Sequence, residues 1–459
     1  MVNFDSLFVP ESMEVAIFGM FSQKLKFCVI EKILILWYAY KSHFDKNSSV
    51  RVSDLSIKNN YNHTVFACYF GYIIQAIVNN FAPLLFLTFR SEFGIPLNMI
   101  TTLVTINFLF QLFIDVVCAK VVDKIGYRKC IVAAQLFSAV GIAGLGFLPD
   151  LLPNPYVGLI ISILLYATGG GLIEVLVSPI VEACPIKNKK AAMSLLHSFY
   201  CWGHLFVVIA STVFFVVFGI ENWRILAFLW AVVPFLNTFY FAKVPIAHLT
   251  EEGQQMSLKE LFSSKQFLLF ILVMVCAGAS EQGMSQWASA FAEAGLGVSK
   301  TIGDLAGPSI FAITMGTSRV IYSKISEKID LNRYMTACSV LCVASYAIAA
   351  FSGNPVFSLI GCAMCGFSVG VMWPGSFSLA SEKFPKGGTA MFAFLALAGD
   401  FGCSFGPTVV GFATSVMNDD LKKGVFAAVV FPIMLIAGIF AMKKLSKEKT
   451  ATASEVNLK

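Results

Sequence analysis

From Thr64 onward, long apolar runs alternate with short polar joints. The runs fall at 64–88, 99–119, 130–148, 156–181, 191–218, 223–243, 266–291, 303–323, 334–352, 355–380, 389–416 and 424–442. Each holds about 20 residues or more, the length an α-helix needs to cross a hydrocarbon core about 30 Å thick. The pattern predicts an all-α membrane protein with twelve transmembrane helices. It does not show the ten-residue in-and-out alternation of an outer-membrane barrel. Residues 1–60 read differently. Their apolar stretches, Met13 to Met20 and Phe27 to Tyr40, are interrupted by Lys24, Lys26, Glu31 and Lys32 and are too short to span. They form a cytoplasmic N-terminal extension, either an amphipathic interfacial segment or the product of a start codon placed too far upstream. No signal-peptide pattern precedes them.

Composition sharpens this picture. Hydrophobic residues make up 57% of the 459 and charged residues 13%, with a mean hydropathy of +0.76. A soluble protein carries roughly 25% charge, so that class is excluded, and the joints leave no room for a sizeable soluble domain. Of the 33 Lys and Arg, 28 are counted to the N-terminal segment, the loops after even-numbered spans and the C-terminal tail, and 5 to the other loops. That count leaves no basic residue for the membrane interior. By the positive-inside rule both termini are cytoplasmic, in a multi-pass protein of the cell (cytoplasmic) membrane. The net charge of +6 therefore reports orientation and not a nucleic-acid partner. Lys443 to Lys449 also suit contact with anionic lipid.

The chain matches itself at offsets of 200, 198 and 204 residues. Gly170, Pro179, Glu182 and Pro185 close the fourth span as Gly370, Pro374, Glu382 and Pro385 close the tenth. Ala192-Met193 opens the fifth as Ala390-Met391 opens the eleventh, and Asp123-Lys124-Ile125 corresponds to Glu327-Lys328-Ile329. A repeat of six spans preserves orientation, so the halves are parallel copies. The expected organisation is an extension at 1–60, a six-helix bundle at 61–243, a cytoplasmic loop at 244–265, a second bundle at 266–442 and a tail at 443–459.

The loop after the second span reads Ala119-Lys120-Val121-Val122-Asp123-Lys124-Ile125-Gly126-Tyr127-Arg128-Lys129. With the parallel halves and central loop, it resembles the major facilitator superfamily, whose signature there is Gly-x-x-x-Asp-x-x-Gly-x-Arg-Lys; only the first Gly is replaced. The resemblance implies two pseudo-symmetric bundles that rock about a midplane site, and a cytoplasmic gate at Asp123, Gly126, Arg128 and Lys129. Gly126 would permit the tight turn, and Arg128 would lock one half against the other.

A carboxylate inside a spanning helix costs roughly 2.5–3.5 kcal/mol on insertion scales, so each one asks for a function. Four lie within spans: Asp115, Glu174, Glu281 and Asp400. With no interior base expected, they must be protonated, bind a cation, accept hydrogen bonds or face water, the states that ion coupling uses. The segment Leu172-Ile173-Glu174-Val175-Leu176-Val177-Ser178-Pro179 is similar to the fourth span of the fucose:proton symporter branch of that superfamily, where a Glu lies in the sugar and proton path. Asn79-Asn80-Phe81-Ala82-Pro83 is similar to its first span, except that Pro83 stands where the family's proton-carrying Asp would be. Asn79 and Asn80 are then candidates for sugar hydroxyls, since an amide both donates and accepts. In the seventh span Glu281, Gln282, Ser285, Gln286 and Ser289 form one broad polar side, and Trp287 offers a ring face to a sugar. Trp373 joins them from the tenth.

Asp115 ends a stripe with Asn107 and Gln111 that suits gate hydrogen bonding as well as coupling, and Asp400 lies between glycines that allow close helix approach. His197 and His204 share a face with Tyr200 and Cys201 and read as hydrogen-bonded packing. The Cys362/Cys365 pair lacks the second pair or His a metal site would need. No metal, no cofactor and no enzymatic activity are expected. The reading is a monomeric secondary transporter of a small neutral polar solute, a sugar first, coupled to a proton or sodium ion through Glu174, Glu281, Asp115 and Asp400. Its substrate-binding set is Asn79, Asn80, Glu174, Glu281, Gln282, Gln286, Trp287 and Trp373. The alternative is a proton-coupled exporter of amphiphilic or cationic compounds. The supposed absence of an interior Arg or Lys argues against an anionic solute.

Overall fold

The computed structural model describes residues 57–456 apart from 96, 248–254, 287, 289–299, 353 and 419. The extension at 1–60 and Trp287 therefore lie outside the described residues, save Ile57 to Asn60. Among the described residues the regular elements are helices. The long ones are α1 (Tyr61–Asn80), α2 (Leu97–Ile125), α3 (Tyr127–Leu145), α4 (Pro155–Ala183), α5 (Lys189–Phe218), α6 (Trp223–Lys243), α7 (Lys265–Ser285), α8 (Lys300–Ile325), α9 (Leu331–Phe351), α10 in two pieces (Pro355–Val369 and Met372–Lys383), α11 (Gly388–Val416) and α12 (Val430–Val456), with shorter helices in the joints. Ten of these passages are long and apolar enough to cross a membrane. α2 and α8, of 29 and 26 residues, occupy the second and eighth places.

Local chemistry sets several helix starts. Asn154 and Asn354 each accept the backbone N–H two residues on, at 3.0 and 2.9 Å, and each is followed by a Pro at the first helical position. The missing N–H of Pro costs nothing there, and such a cap contributes about 1 kcal/mol. The two caps lie 200 residues apart and extend the internal repeat to the opposite ends of α4 and α10. The last helix differs from expectation. It continues through the basic tail to Val456, because Lys, Glu and Ala favour helix as well as leucine does.

Packing within each half relies on small residues. A Cβ on Gly278 would meet the Gly399 carbonyl, and on Gly402 the Val275 carbonyl, so α7 and α11 touch backbone to backbone. Gly141 against Tyr166 does the same for α3 and α4, and Gly361 against Ala349 for α9 and α10. Between the halves α2 packs on α11 and α5 on α8. Outward-facing side chains such as Val216, Leu229 and Phe440 are 71%, 52% and 56% exposed, an apolar girdle fitted to lipid.

Candidate functional site

Polar groups gather where the halves meet. Gln75 of α1 donates through Nε2 to Glu174 Oε2 and to Gln111 Oε1, both at 3.0 Å. Gln111 of α2 passes the chain on, donating through Nε2 to Asn79 Oδ1 at 2.9 Å and to Asn107 Oδ1 at 3.0 Å. Asn107 closes the ladder onto Asn79 at 3.3 Å. Gly170 makes room for it, since a Cβ there would stand 3.0 Å from Gln75 Oε1 and 3.2 Å from Gln111 Oε1. Beside the ladder, Tyr72, Ser178 and His197 form a buried triangle with edges of 3.2, 3.3 and 3.4 Å.

The second half contributes α7. Glu281 accepts from Gln282 Nε2 at 3.4 Å, and Gln282 from Gln286 Nε2 at 3.1 Å. The other Glu281 oxygen, Oε2, faces Arg319 Nη2 of α8 at 3.4 Å. This overturns the expectation of an interior without bases. Arg319 is 3% exposed, a basic residue buried in the interior and not at a membrane face. It sits only six residues before the end of α8, where a long side chain ordinarily reaches out to the interface. Here it turns inward instead, because two carbonyls, a thiol and Glu281 satisfy it. Arg319 Nε donates to Gly370 O at 2.7 Å, and Nη1 to His197 O at 2.8 Å and to Cys201 Sγ at 3.0 Å. Gly370 O is free for this role because the residue four places on is Pro374, which has no N–H to donate.

The four interior carboxyls come from α2, α4, α7 and α11 and lie within electrostatic reach of one another. Asp115 is 1% exposed and faces Asp400 across the α2–α11 seam. Among the described residues no other donor reaches either of its oxygens, which leaves the Asp400 carboxyl as its side-chain hydrogen-bonding neighbour. Two other expected site residues are partly engaged by their own surroundings. Asn80 turns its amide onto its own helix, donating to Ala76 O at 2.8 Å. Trp373 is 8% exposed, edge-on to Phe377 and packed against Gly399 beside Asp400. Gln75 and Arg319 are the residues sequence reasoning missed. Gln75 had a signal, one helical turn before Asn79 on the same face.

At the face bearing the Asp123–Lys129 loop, Gly126 adopts φ +96°, a backbone region that glycine alone enters freely. Arg128 does not reach the other half as expected. Its Nη1 donates to the carbonyls of Phe241 and Ala242, both at 3.0 Å, at the last turn of α6, where unpaired carbonyls and the helix dipole favour a cation. Lys129 is exposed. The bonds across the halves come from neighbours instead. Thr389 Oγ1 donates to Asp123 Oδ1 at 2.7 Å and bonds Tyr127. Lys190 pairs with Glu382 at 2.8 Å, and Asn188 donates to Ser326 at 2.9 Å.

No curated protein matches the sequence. Among solved structures, FucP in its outward conformation aligns with a TM-score of 0.71 at 14% identity, over 82% of this chain and 98% of that one. The proton:xylose symporter XylE, bound to 6-bromo-6-deoxy-D-glucose, aligns at 0.70 and 13% identity, over 83% and 95%. The human organic anion transporter MFSD10 (TETRAN) aligns at 0.62 and 14%, over 83% and 99%. At such identities the likeness is one of fold. The family model of the Major Facilitator Superfamily matches residues 65–407, from the first turns of α1 into α11, and so takes in the amide ladder, the carboxyls and the Asp123–Lys129 loop. This multi-pass membrane chain, with its polar centre enclosed between two packed halves, therefore belongs to the Major Facilitator Superfamily.

Proposed function

We propose that the chain is a secondary active transporter of a small neutral polar solute, a sugar first, which works by alternating access with proton (or sodium) coupling at the cell membrane. One observation carries this reading: an amide ladder running from Asn107 to Gln75 ends on Glu174, within reach of carboxyls from the other half. Amides that donate and accept suit hydroxyls, and carboxyls at a seam between moving parts suit an ion that binds in one state and leaves in the other. Sugar:proton symporters among the structural neighbours support the same class. Arg319 is present, but its donors are committed to Glu281, two carbonyls and a thiol, so an anion would have to displace an internal partner. Proton-coupled export of amphiphilic or cationic compounds is the second reading, favoured by four interior carboxyls set against one engaged guanidinium.

Uptake into proteoliposomes under an inward proton gradient tests this. Accumulation of a monosaccharide that collapses with the gradient, and that Glu281→Gln abolishes while counterflow persists, is the expected result. Accumulation indifferent to both changes would refute coupling. A thermal-shift screen selects the solute, since a ligand at a hundred times its Kd stabilises by about 2.7 kcal/mol. Stabilisation by cationic dyes alone would favour export.

A further inference from the structure

One line of side chains along α12 turns from apolar to basic. Ile433, Ala437, Phe440 and Lys444 follow one another at spacings of four, three and four residues, which keeps them on a single face of the helix. All four are exposed, Ile433 by 49% and Phe440 by 56%. The other side of α12 packs on α7 and α9: Leu435 and Ile439 are buried, and a Cβ on Gly438 would stand 2.8 Å from a Val273 methyl of α7. The exposed line is therefore the one turned to acyl chains. Its spacing carries on to Lys447, since the helix continues to Val456.

The end of this line is strongly basic. Four Lys and one Glu between 443 and 449 leave three positive charges over. Lys443 Nζ lies 5.8 Å from the centroid of the Phe440 ring, so an ammonium is held at the last lipid-facing aromatic. Two more bases stand at the same end of the bundle, because α7 and α9 begin where α12 leaves the lipid. Lys265 is the first residue of α7 and Arg333 the third of α9, and both are exposed. Asp330, which precedes α9, is occupied in capping it and accepts the Arg333 backbone N–H at 2.9 Å.

We propose that the basic end of α12 is a binding site for an anionic phospholipid, whose phosphate lies at Lys443 and Lys444 while an acyl chain runs along Phe440, Ala437 and Ile433. The dimensions agree. Phe440 and Lys444 are about 6 Å apart along the axis, one helical turn, so a phosphate at the lysine leaves the first chain carbons beside the ring. Lysine suits a mobile headgroup, since its ammonium is a point charge on a flexible stem that lies along the apolar face. A zwitterionic head brings its own cation to the phosphate and gains less from the lysines, so the site prefers a lipid of net negative charge. It requires only that α12 spans the bilayer and is independent of the solute or ion carried.

The test uses the purified full-length protein in phosphatidylcholine vesicles that hold a small fraction of a photoactivatable lipid. That lipid is either phosphatidylserine or phosphatidylcholine with a diazirine on its acyl chain, and the labelled peptides are measured by mass spectrometry. Labelling of residues 430–445 by the phosphatidylserine probe should exceed that by the phosphatidylcholine probe about fivefold, the ratio that about 1 kcal/mol from one ammonium gives. Val216 to Phe218, at the far end of α5, are 59–71% exposed and have no basic residue between 210 and 222, so they should take both probes alike. The double variant Lys443→Gln/Lys444→Gln should label α12 equally with both probes, and Lys443→Arg/Lys444→Arg should keep the preference. Equal labelling of α12 by the two probes in the parent would overturn the site. So would a preference that survives the loss of both lysines, or one as strong at Val216 to Phe218 as on α12.

Discussion

Glu174 and Gln75 show what a single side chain does at the seam. Replacing Glu174 by Gln leaves an amide oxygen where Gln75 Nε2 donates at 3.0 Å, in nearly the same volume. The fold should survive with a melting temperature close to the parent's. If Glu174 carries the ion, proton-driven accumulation is lost and counterflow is kept; a variant that still concentrates solute against its gradient excludes it. Thr389→Val is the matching change at the gate, since valine keeps the shape and removes the hydroxyl that bonds Asp123 and Tyr127. Loss of a bond to a charged group costs about 1.5–3 kcal/mol where no water replaces it, so the state closed at this face should lose population, read as altered protection of residues 123–129 in hydrogen exchange. The carboxyls and Asn79 are legible in the sequence because charge or amide inside an apolar run stands out by composition alone. Arg319 and Gln75 are not, because position along a span does not say which way a flexible side chain turns. Only the partners decide that, and those partners are backbone carbonyls and side chains 36 to 118 positions away.

Helices rather than single groups explain what the apolar runs could and could not foretell. The existence and order of α1 to α12 follow from run length, since a chain in lipid must satisfy every backbone polar group within its own helix. Hydropathy marks where the lipid ends, not where the helix ends, so α12 runs on through Lys443 and Lys444. The break in α10 had a signal in Gly370 and Pro374, and the carbonyl that proline leaves unpaired is the one Arg319 uses. Close contact of α7 with α11 is testable at Gly402. Valine there would press on the Val275 backbone, and overpacking of this kind costs about 1–3 kcal/mol. A clear fall in melting temperature is expected in scanning fluorimetry, whereas an unchanged value would mean that the helices separate without cost. Between the halves, the six-residue helix Leu258–Ser263 begins with a reciprocal cap. Glu260 accepts from the Ser257 backbone N–H at 2.7 Å, and Glu260 N–H donates to Ser257 Oγ at 3.3 Å. The Ser257 backbone bond, then its hydroxyl, hold the Glu260 carboxyl below its usual range. A depressed carboxylate stabilises the cap above its unfolded value and ceases to do so as pH falls through the folded one.

At the scale of the molecule, the described bonds between the halves concentrate at one face. Lys190–Glu382, Asn188–Ser326 and Asp123–Thr389 join α5 to α10, the α4–α5 joint to the end of α8, and α2 to α11. The arrangement is closed there. The ion pair is weak: Lys190 and Glu382 are 35% and 61% exposed in their side chains, and an exposed pair is worth about 0.2–1 kcal/mol. Weakness suits a carrier, whose two states must differ little if one ion is to tip them. Reversing one charge with Lys190→Glu turns attraction into repulsion of similar size, about 0.4–2 kcal/mol in all, and should shift the balance toward opening at this face roughly two- to thirtyfold. Adding Glu382→Lys should restore the parental balance, because the pair is then re-formed with its signs exchanged. The shift is measured as the distance distribution between spin labels at Lys187→Cys and Lys328→Cys, which lie on the two halves beside these contacts. It should shrink at high salt, where exposed charges are screened. A single reversal that leaves the distribution unchanged, or a double reversal that fails to restore it, would show that the face is held by packing of α5 on α8 and α2 on α11 and not by its ion pair.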